Sequence, residues 1–306
     1  MNILYINYNL KEMFSSRDFH NSINSEKSAC RLFRDKGILK STWVCPEQCG
    51  NNFVRLKWRQ KQGGYAFKCS KCKNRRSLFA GSWMEHARMK CLQVVDLLFS
   101  WAAKSCCALA GAEGRMKSSK TITDWIRFIR DVCVESVSAD GDEQLGGAGV
   151  IVEIDETLVA KRKYNRGRVV EQVWLFGAVE RVTGKCFFEV VANRSEAVLL
   201  EVIRRKIRKG TTIMSDSHRS YTNLEQHGYV HFKVNHSLNF VDPNTQAHTQ
   251  TIEATWGALK MFLRSVGRNL GPHLEEYIAE FVYRRKHAGR LFDQILADIA
   301  RFHPPR

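Results

Sequence analysis

Apolar residues recur along this chain in two different patterns, and the change between them falls near residue 150. Before it the spacing is helical. In SEKSACRLFRDKG (25–37) Ser25 is placed to cap a short helix that stops at Gly37. The stretch 90–110 is apolar at helical spacing, and KSSKTITDWIRFIRDVCVESV (117–137) puts Ile122, Trp125, Ile126, Ile129 and Val132 or Cys133 on one face, with Ser118 or Ser119 at its start. After residue 150 short runs of β-branched and aromatic residues take over. VIVEID (150–155), EQVWLFGAVE (171–180) and GKCFFEVVAN (184–193) read as three successive strands, followed by an amphipathic helix that ends at Gly210. TTIMSD (211–216) and YVHFKVN (229–235) are two further strands, and TQTIEATWGALKMFLRSV (249–266) is a long helix. The order βββ-α-β-α-β-α predicts an α/β fold, a mixed sheet flanked by helices.

Between the two regimes lies SVSADGDEQLGGAG (136–149), whose four glycines and three acidic residues read as a linker. The expected organisation is an N-terminal helical segment (1–40), a small module (41–80), a helical region (81–135), the linker (136–149) and a domain with C-terminal helices (150–306).

Three carboxylates punctuate the second half. Asp155 closes the first strand, Asp216 the fourth, and Glu253 lies early on the last long helix. Any one of them alone is explained by a turn or a helix first turn; buried apolar runs directly before Asp155 and Asp216 point instead to a site. Strands one and four can lie side by side in such a sheet, and a helix across them brings Glu253 within reach. Converging carboxylates repel one another unless cations neutralise them, and hard oxygen donors suit two Mg²⁺ or Mn²⁺ ions. Such a pair can activate an attacking oxygen and stabilise a leaving one in displacement at phosphorus.

VEIDET, KRKYNRGR, VWLFGAVER, IMSDSHRSY, VNHSLNFVDP, HTQTIEATWGALK and EEYIAEFVYRRK, in that order, together resemble the Merlin superfamily of DDE transposases and related bacterial insertion-sequence transposases. The resemblance runs over roughly residues 38–300. It implies a ribonuclease-H-like core with the catalytic, metal-binding triad Asp155, Asp216 and Glu253, and activity in DNA transposition. It also points to His236 and His248 beside the triad, for which a structural role fits as well. Trp256 and Lys260 follow Glu253 at i+3 and i+7; Trp256 suits the core, and Lys260 can approach a phosphate.

The remaining chemistry lies upstream. Cys45, Cys49, Cys69 and Cys72 form C-x3-C and C-x2-C pairs that can hold one structural Zn²⁺ in a zinc ribbon. Cys30, Cys91, Cys106, Cys107, Cys133 and Cys186 lack such spacing and read as small buried or free thiols. Arg55 to Arg76 carries nine basic and no acidic residues, interleaved with Trp58, Tyr65 and Phe67. Lys71, Lys73, Arg75 and Arg76 are expected to contact DNA phosphates, as are Lys161, Arg162, Lys163, Arg166 and Arg168 of a second basic run, and Lys260. KSSKTITDWIRFIR resembles the recognition helix of a helix-turn-helix entered from CCALAGAEG, although a plain bundle helix fits equally.

The formal charge of +17 fits a polyanionic partner. No run approaches the ~20 apolar residues that span a bilayer, and VVDLLFSWAA (94–103) is broken by Asp96. The N-terminus shows no secretory signal pattern, so an intracellular protein is expected: nuclear in a eukaryotic host, otherwise in the cytoplasm or nucleoid. The expected function is binding of transposon ends, hydrolysis to expose 3′-hydroxyls and joining to target DNA, by a homodimer or larger assembly. Two other functions fit: a host-recruited DNA-binding protein, or a stand-alone nuclease or resolvase of the same fold.

Overall fold

The computed structural model describes residues 16–45, 49, 51, 54–59, 64–103, 118–141, 143–159, 173–234, 248–266 and 273–306. The chain divides into two compact units, Val137–Lys286 and the remainder. No helix among the described residues is long and apolar enough to cross a membrane.

The first unit begins with α1 (Ser16–Ser22) and α2 (Glu26–Asp35). Ser25 and Ser28 form a reciprocal capping box at the start of α2, so the expected cap is present. A four-stranded antiparallel sheet follows, β1 (Thr42–Trp43), β2 (Val54–Arg59), β3 (Gly64–Lys68) and β4 (Arg75–Ser77), paired in sequence order. Then come α3 (Cys91–Ala102) and α4 (Ser119–Ala139). Helix α4 starts where the sequence places it, and its buried side chains include Ile122, Trp125, Ile129, Val132 and Cys133. CCALAGAEG lies outside the described residues.

Two expected boundaries change. The last helix, α8 (Leu291–Phe302), belongs to the first unit, not to the strand-rich one. Its Phe292 meets Phe19 and Phe99 edge-on, and Asp298 accepts from the Ser136 hydroxyl, which ties it to α1, α3 and α4. The glycine-rich segment is also no free linker. Leu145 is buried and bridges to Ile207, Gly146 N–H donates to Glu180, and Gly147 N–H donates to Thr211. Gly146 adopts φ +80° and any Cβ there would strike the Thr211 side chain, so glycine is needed for close docking, not for flexibility.

The second unit is built on β5 (Ile151–Leu158), β6 (Trp174–Glu180), β7 (Cys186–Val191), β8 (Thr212–Asp216) and β9 (Val230–Val234), with α5 (Glu196–Lys206) after β7, and α6 (Gln250–Val266) and α7 (Leu274–Lys286) after β9. Strand order is β7-β6-β5-β8-β9, antiparallel through the first three and parallel through the rest. This is the ribonuclease-H-like arrangement. Two short 3₁₀ turns replace the helix expected between β8 and β9. Strand alternation sorts the core into two layers. Val152, Ile154, Phe176 and Ala178 pack with Leu199, Val202 and Ile203 of α5, while Leu175 and Val179 pack with Ile252, Trp256, Leu259 and Leu263 of α6.

Candidate active site and cysteine cluster

The alternation that buries Val152 and Ile154 under α5 turns Glu153 and Asp155 to the α6 face. Asp155 lies inside β5, which continues to Leu158, and not at its end as the sequence suggested. Parallel pairing runs Ile151 to Thr212, Val152 to Ile213 and Glu153 to Met214. Two residues further along each strand stand Asp155 and Asp216, on neighbouring strands about 4.8 Å apart and on the same face. Glu253, exposed in the first turn of α6, completes the group.

Their proximity appears in the pKa of Asp155, which is pushed up to about 7, first by burial and then by the negative charges of Glu156, Glu253 and Asp216. Trp256, in the core as expected, donates its indole N–H to Asp155 Oδ2 at 2.9 Å. The ring fits because Asp155's partner across the ladder is Gly177, where a Cβ would stand 2.6 Å from Trp256. Asp216 Oδ1 accepts from the His218 N–H at 2.9 Å. Glu156 points to the other face and accepts from the Tyr221 hydroxyl; burial and the charge of Asp216 raise its pKa.

Glu153 carries no signal in the sequence pattern. It is fully buried, accepts from Arg181 Nε at 2.8 Å and from Ile252 N–H at 2.9 Å, and stands 3.7 Å from His248 Nδ1. His248, one of the two histidines singled out in sequence, therefore borders this buried carboxylate. His236, Lys161, Arg162, Lys163, Arg166 and Arg168 lie outside the described residues. Lys260 is exposed on α6.

In the first unit the four spaced cysteines converge. Cys45 and Cys72 sulfurs are 3.5 Å apart, Cys49 and Cys69 sulfurs 3.7 Å, and all four lie within 4.8 Å of one another. A tetrahedral ion with sulfurs about 2.3 Å away would set them about 3.8 Å apart, so the donors fit one soft divalent ion. The three acidic side chains of the second unit are spread more widely than this. Burial pushes the Cys69 thiol up, but hydrogen bonds from the Cys72 and Lys71 backbone and the Asn51 side chain outweigh it and bring it down to about 6. At Cys72 the Asn74 backbone bond lowers the value, while burial and the other three sulfurs push it up to about 12. A cation would relieve that crowding of negative charge.

Around this cluster Arg75 and Arg76 are exposed on β4, with Arg76 5.9 Å from the Trp43 ring centre. Lys71 is exposed; Lys73, in left-handed backbone at φ 63°, folds its ammonium back to the Ser70 carbonyl at 2.7 Å.

A second cysteine pair escaped the spacing rule. Cys30 and Cys91, expected to be separate thiols, have their sulfurs 3.1 Å apart. Glu26 accompanies them, yet both its oxygens are engaged by Cys91 and Leu92 N–H, capping α3. The Cys30 hydrogen bond, burial and the Glu26 charge raise Cys91 far above the usual thiol range, so Cys91 stays protonated and the contact is a packing feature.

A model of the ISXO2-like transposase domain matches residues 144–286. An uncharacterized transposase-like protein of Haemophilus influenzae (strain ATCC 51907 / DSM 11121 / KW20 / Rd) is 30% identical over 100 residues, covering 33% of this chain and 80% of that protein. The chain belongs to the ISXO2-like transposase family. Among solved structures, the magnesium complex of the HTLV-2 integrase catalytic core domain is similar at 15% identity and a TM-score of 0.29, covering 46% of this chain and 86% of that one. The BIV integrase catalytic core domain is similar at 16% identity and a TM-score of 0.29, covering 44% and 80%.

The transposase domain thus includes the docked Leu145–Gly147 segment and ends with α7. Its raised Asp155 predicts a pH effect whose sign is fixed. The folded state holds a proton near pH 4 to 7 that the unfolded chain has released, so this group favours folding below about 4 and loses that contribution as pH rises towards 7. Without added Mg²⁺ or Mn²⁺, Asp155→Asn should be more stable than the parent at pH 7.5, by roughly 4 kcal/mol at the outside, and equal to it near pH 4. Denaturant titrations at both pH values check this; a pH-independent difference would show that Asp155 is not so shifted.

Proposed function

We propose that this protein is a DNA transposase that binds transposon ends, hydrolyses a phosphodiester to expose a 3′-hydroxyl and joins that end to target DNA. The observation that carries the reading is the parallel register of β5 and β8, which carried two residues past Glu153 and Met214 sets Asp155 beside Asp216, with Glu253 close enough to raise Asp155. Its sequence motifs further align it with the Merlin branch of such enzymes.

Asp155, Asp216 and Glu253 are the residues that would hold two Mg²⁺ or Mn²⁺ ions, which when bound supply Lewis acidity to the attacking and leaving oxygens. Trp256 orients Asp155 through the indole hydrogen bond, and the His218 N–H orients Asp216. The cysteine cluster would hold a Zn²⁺ that fixes β1 to β4, presenting Lys71, Lys73, Arg75 and Arg76 to phosphates of the DNA end. Lys260 and the run Lys161, Arg162, Lys163, Arg166 and Arg168 would contact DNA nearer the catalytic residues. Cutting and joining two ends together calls for a dimer or larger assembly on DNA.

Nicking of duplexes that carry the DNA flanking the reading frame tests the reading. Mg²⁺ or Mn²⁺ should support cleavage and Ca²⁺ should not, since its looser coordination positions reacting oxygens poorly. Cleavage without any divalent ion would remove the mechanism.

A further inference from the structure

The buried carboxylate under the start of α6 has no part in the chemistry above, yet an arginine and a helix amide both converge on it. Glu153 is wholly buried within β5, where an apolar side chain would pack against Ile252 and its neighbours. A buried ion pair such as Arg181 with Glu153 is weak evidence for stability, because well-packed apolar replacements are often as stable or more so. Its other contacts suggest the reason.

Glu153 Oε2 accepts the Ile252 N–H at 2.9 Å, one of the amides at a helix start that has no partner within the helix. A carboxylate there is also favoured by the helix dipole. Arg181, held by the same carboxylate, donates from Nη2 to the His248 carbonyl at 2.9 Å, so both sides of the entry into α6 are tied to one ion pair. A second latch lies further on, where Trp256 donates to Asp155. The two latches are spaced by two residues on the strand, about 6.6 Å, and by four on the helix, about 6 Å, so strand and helix run in step between them. Glu253 is the residue immediately after the first latch.

We propose that Glu153 is a positioning residue: through the Ile252 N–H and Arg181 it fixes the start of α6 so that the Glu253 carboxylate faces Asp155 and Asp216. This rests on the reading of those three residues as ligands of divalent ions. Partners that orient ligands in this way typically change metal affinity when removed, whereas a residue needed only for folding changes the folded fraction and leaves the affinity of folded molecules alone.

The test is Mn²⁺ titration of the full-length protein by calorimetry, alongside thermal unfolding, for the parent, Asp155→Asn, Glu153→Asp and Glu153→Gln. Glu153→Asp keeps a charge for Arg181 but is one methylene too short to hold Arg181 and Ile252 together. Glu153→Gln keeps the length and halves the acceptors. Parent Mn²⁺ binding should be lost in Asp155→Asn, and at least one folded Glu153 variant should bind Mn²⁺ about tenfold more weakly or worse. Asp155-dependent binding that stays within twofold of the parent in the folded Glu153 variants would overturn the positioning role alone. Failure of both variants to fold would assign Glu153 to stability and overturn it too. No Asp155-dependent Mn²⁺ binding in the parent would overturn the ligand reading and this inference with it.

Discussion

Asp155→Asn, Asp216→Asn and Glu253→Gln should each abolish DNA cleavage and joining, by on the order of 10³-fold or more, while leaving binding of transposon-end DNA near the parental level. These substitutions keep side-chain shape and remove the charge that a divalent cation requires. Asp155 and Asp216 stand on neighbouring strands of a five-stranded sheet, so amide replacements disturb little packing. At Asp155 the amide even relieves a charge that burial opposes, and the Trp256 indole can still donate to its oxygen. Because the three act on one centre, double variants should be scarcely worse than single ones. Nicking and filter-binding assays on the same preparations separate the two effects. Robust metal-dependent cleavage by Asp155→Asn would show that the catalytic centre lies elsewhere.

Cys69→Ser should release about one zinc per chain and unfold the β1 to β4 sheet. That sheet has strands as short as two and three residues, and so small a module has little core of its own to hold it without the metal. Its closure depends on the knuckle in which Cys69 N–H reaches the Asn74 carbonyl at 2.8 Å and on the convergence of four sulfurs. Zinc content by atomic emission and protease sensitivity near residues 41–80 report the loss. Arg75 and Arg76 on β4 would lose their placement as well, so the slope of log affinity for DNA against log salt should flatten. Unchanged zinc content in Cys69→Ser would remove the metal from this part of the reading.

Much of the second unit was legible because its code is short-range. Runs of β-branched and aromatic residues located the five strands of the described residues, and the apolar residues before Asp155 and Asp216 marked two carboxylates that the sheet sets on neighbouring strands. The end of β5 was misplaced, since Glu156 and Thr157 break the apolar run while the ladder continues through Thr157 paired with Leu175. Glu153 was invisible for a different reason: one acidic residue inside an apolar strand looks like noise until Arg181, 28 residues away, and the Ile252 amide, 99 away, are brought to it. Leu145 to Gly147 looked like linker by composition, whereas Gly146 is there because Thr211 leaves no room for a Cβ. Helix α8 followed the same limit, as nothing local in LFDQILADIARF says which unit its apolar face will meet. The cysteine cluster was readable from spacing, but Cys30 and Cys91 met only through α2 and α3.

The joining step decides between a transposase and a nuclease of the same fold. Duplexes ending in the element's terminal repeats, labelled on the transferred strand, would be incubated with the full-length protein, Mg²⁺ and supercoiled target DNA, and the products separated under denaturing conditions. Label should appear covalently attached to target strands through the transposon 3′-hydroxyl, and should be absent with Asp155→Asn. Ends that are cut but never joined, or joining that survives Asp155→Asn, would refute transposition by Asp155, Asp216 and Glu253.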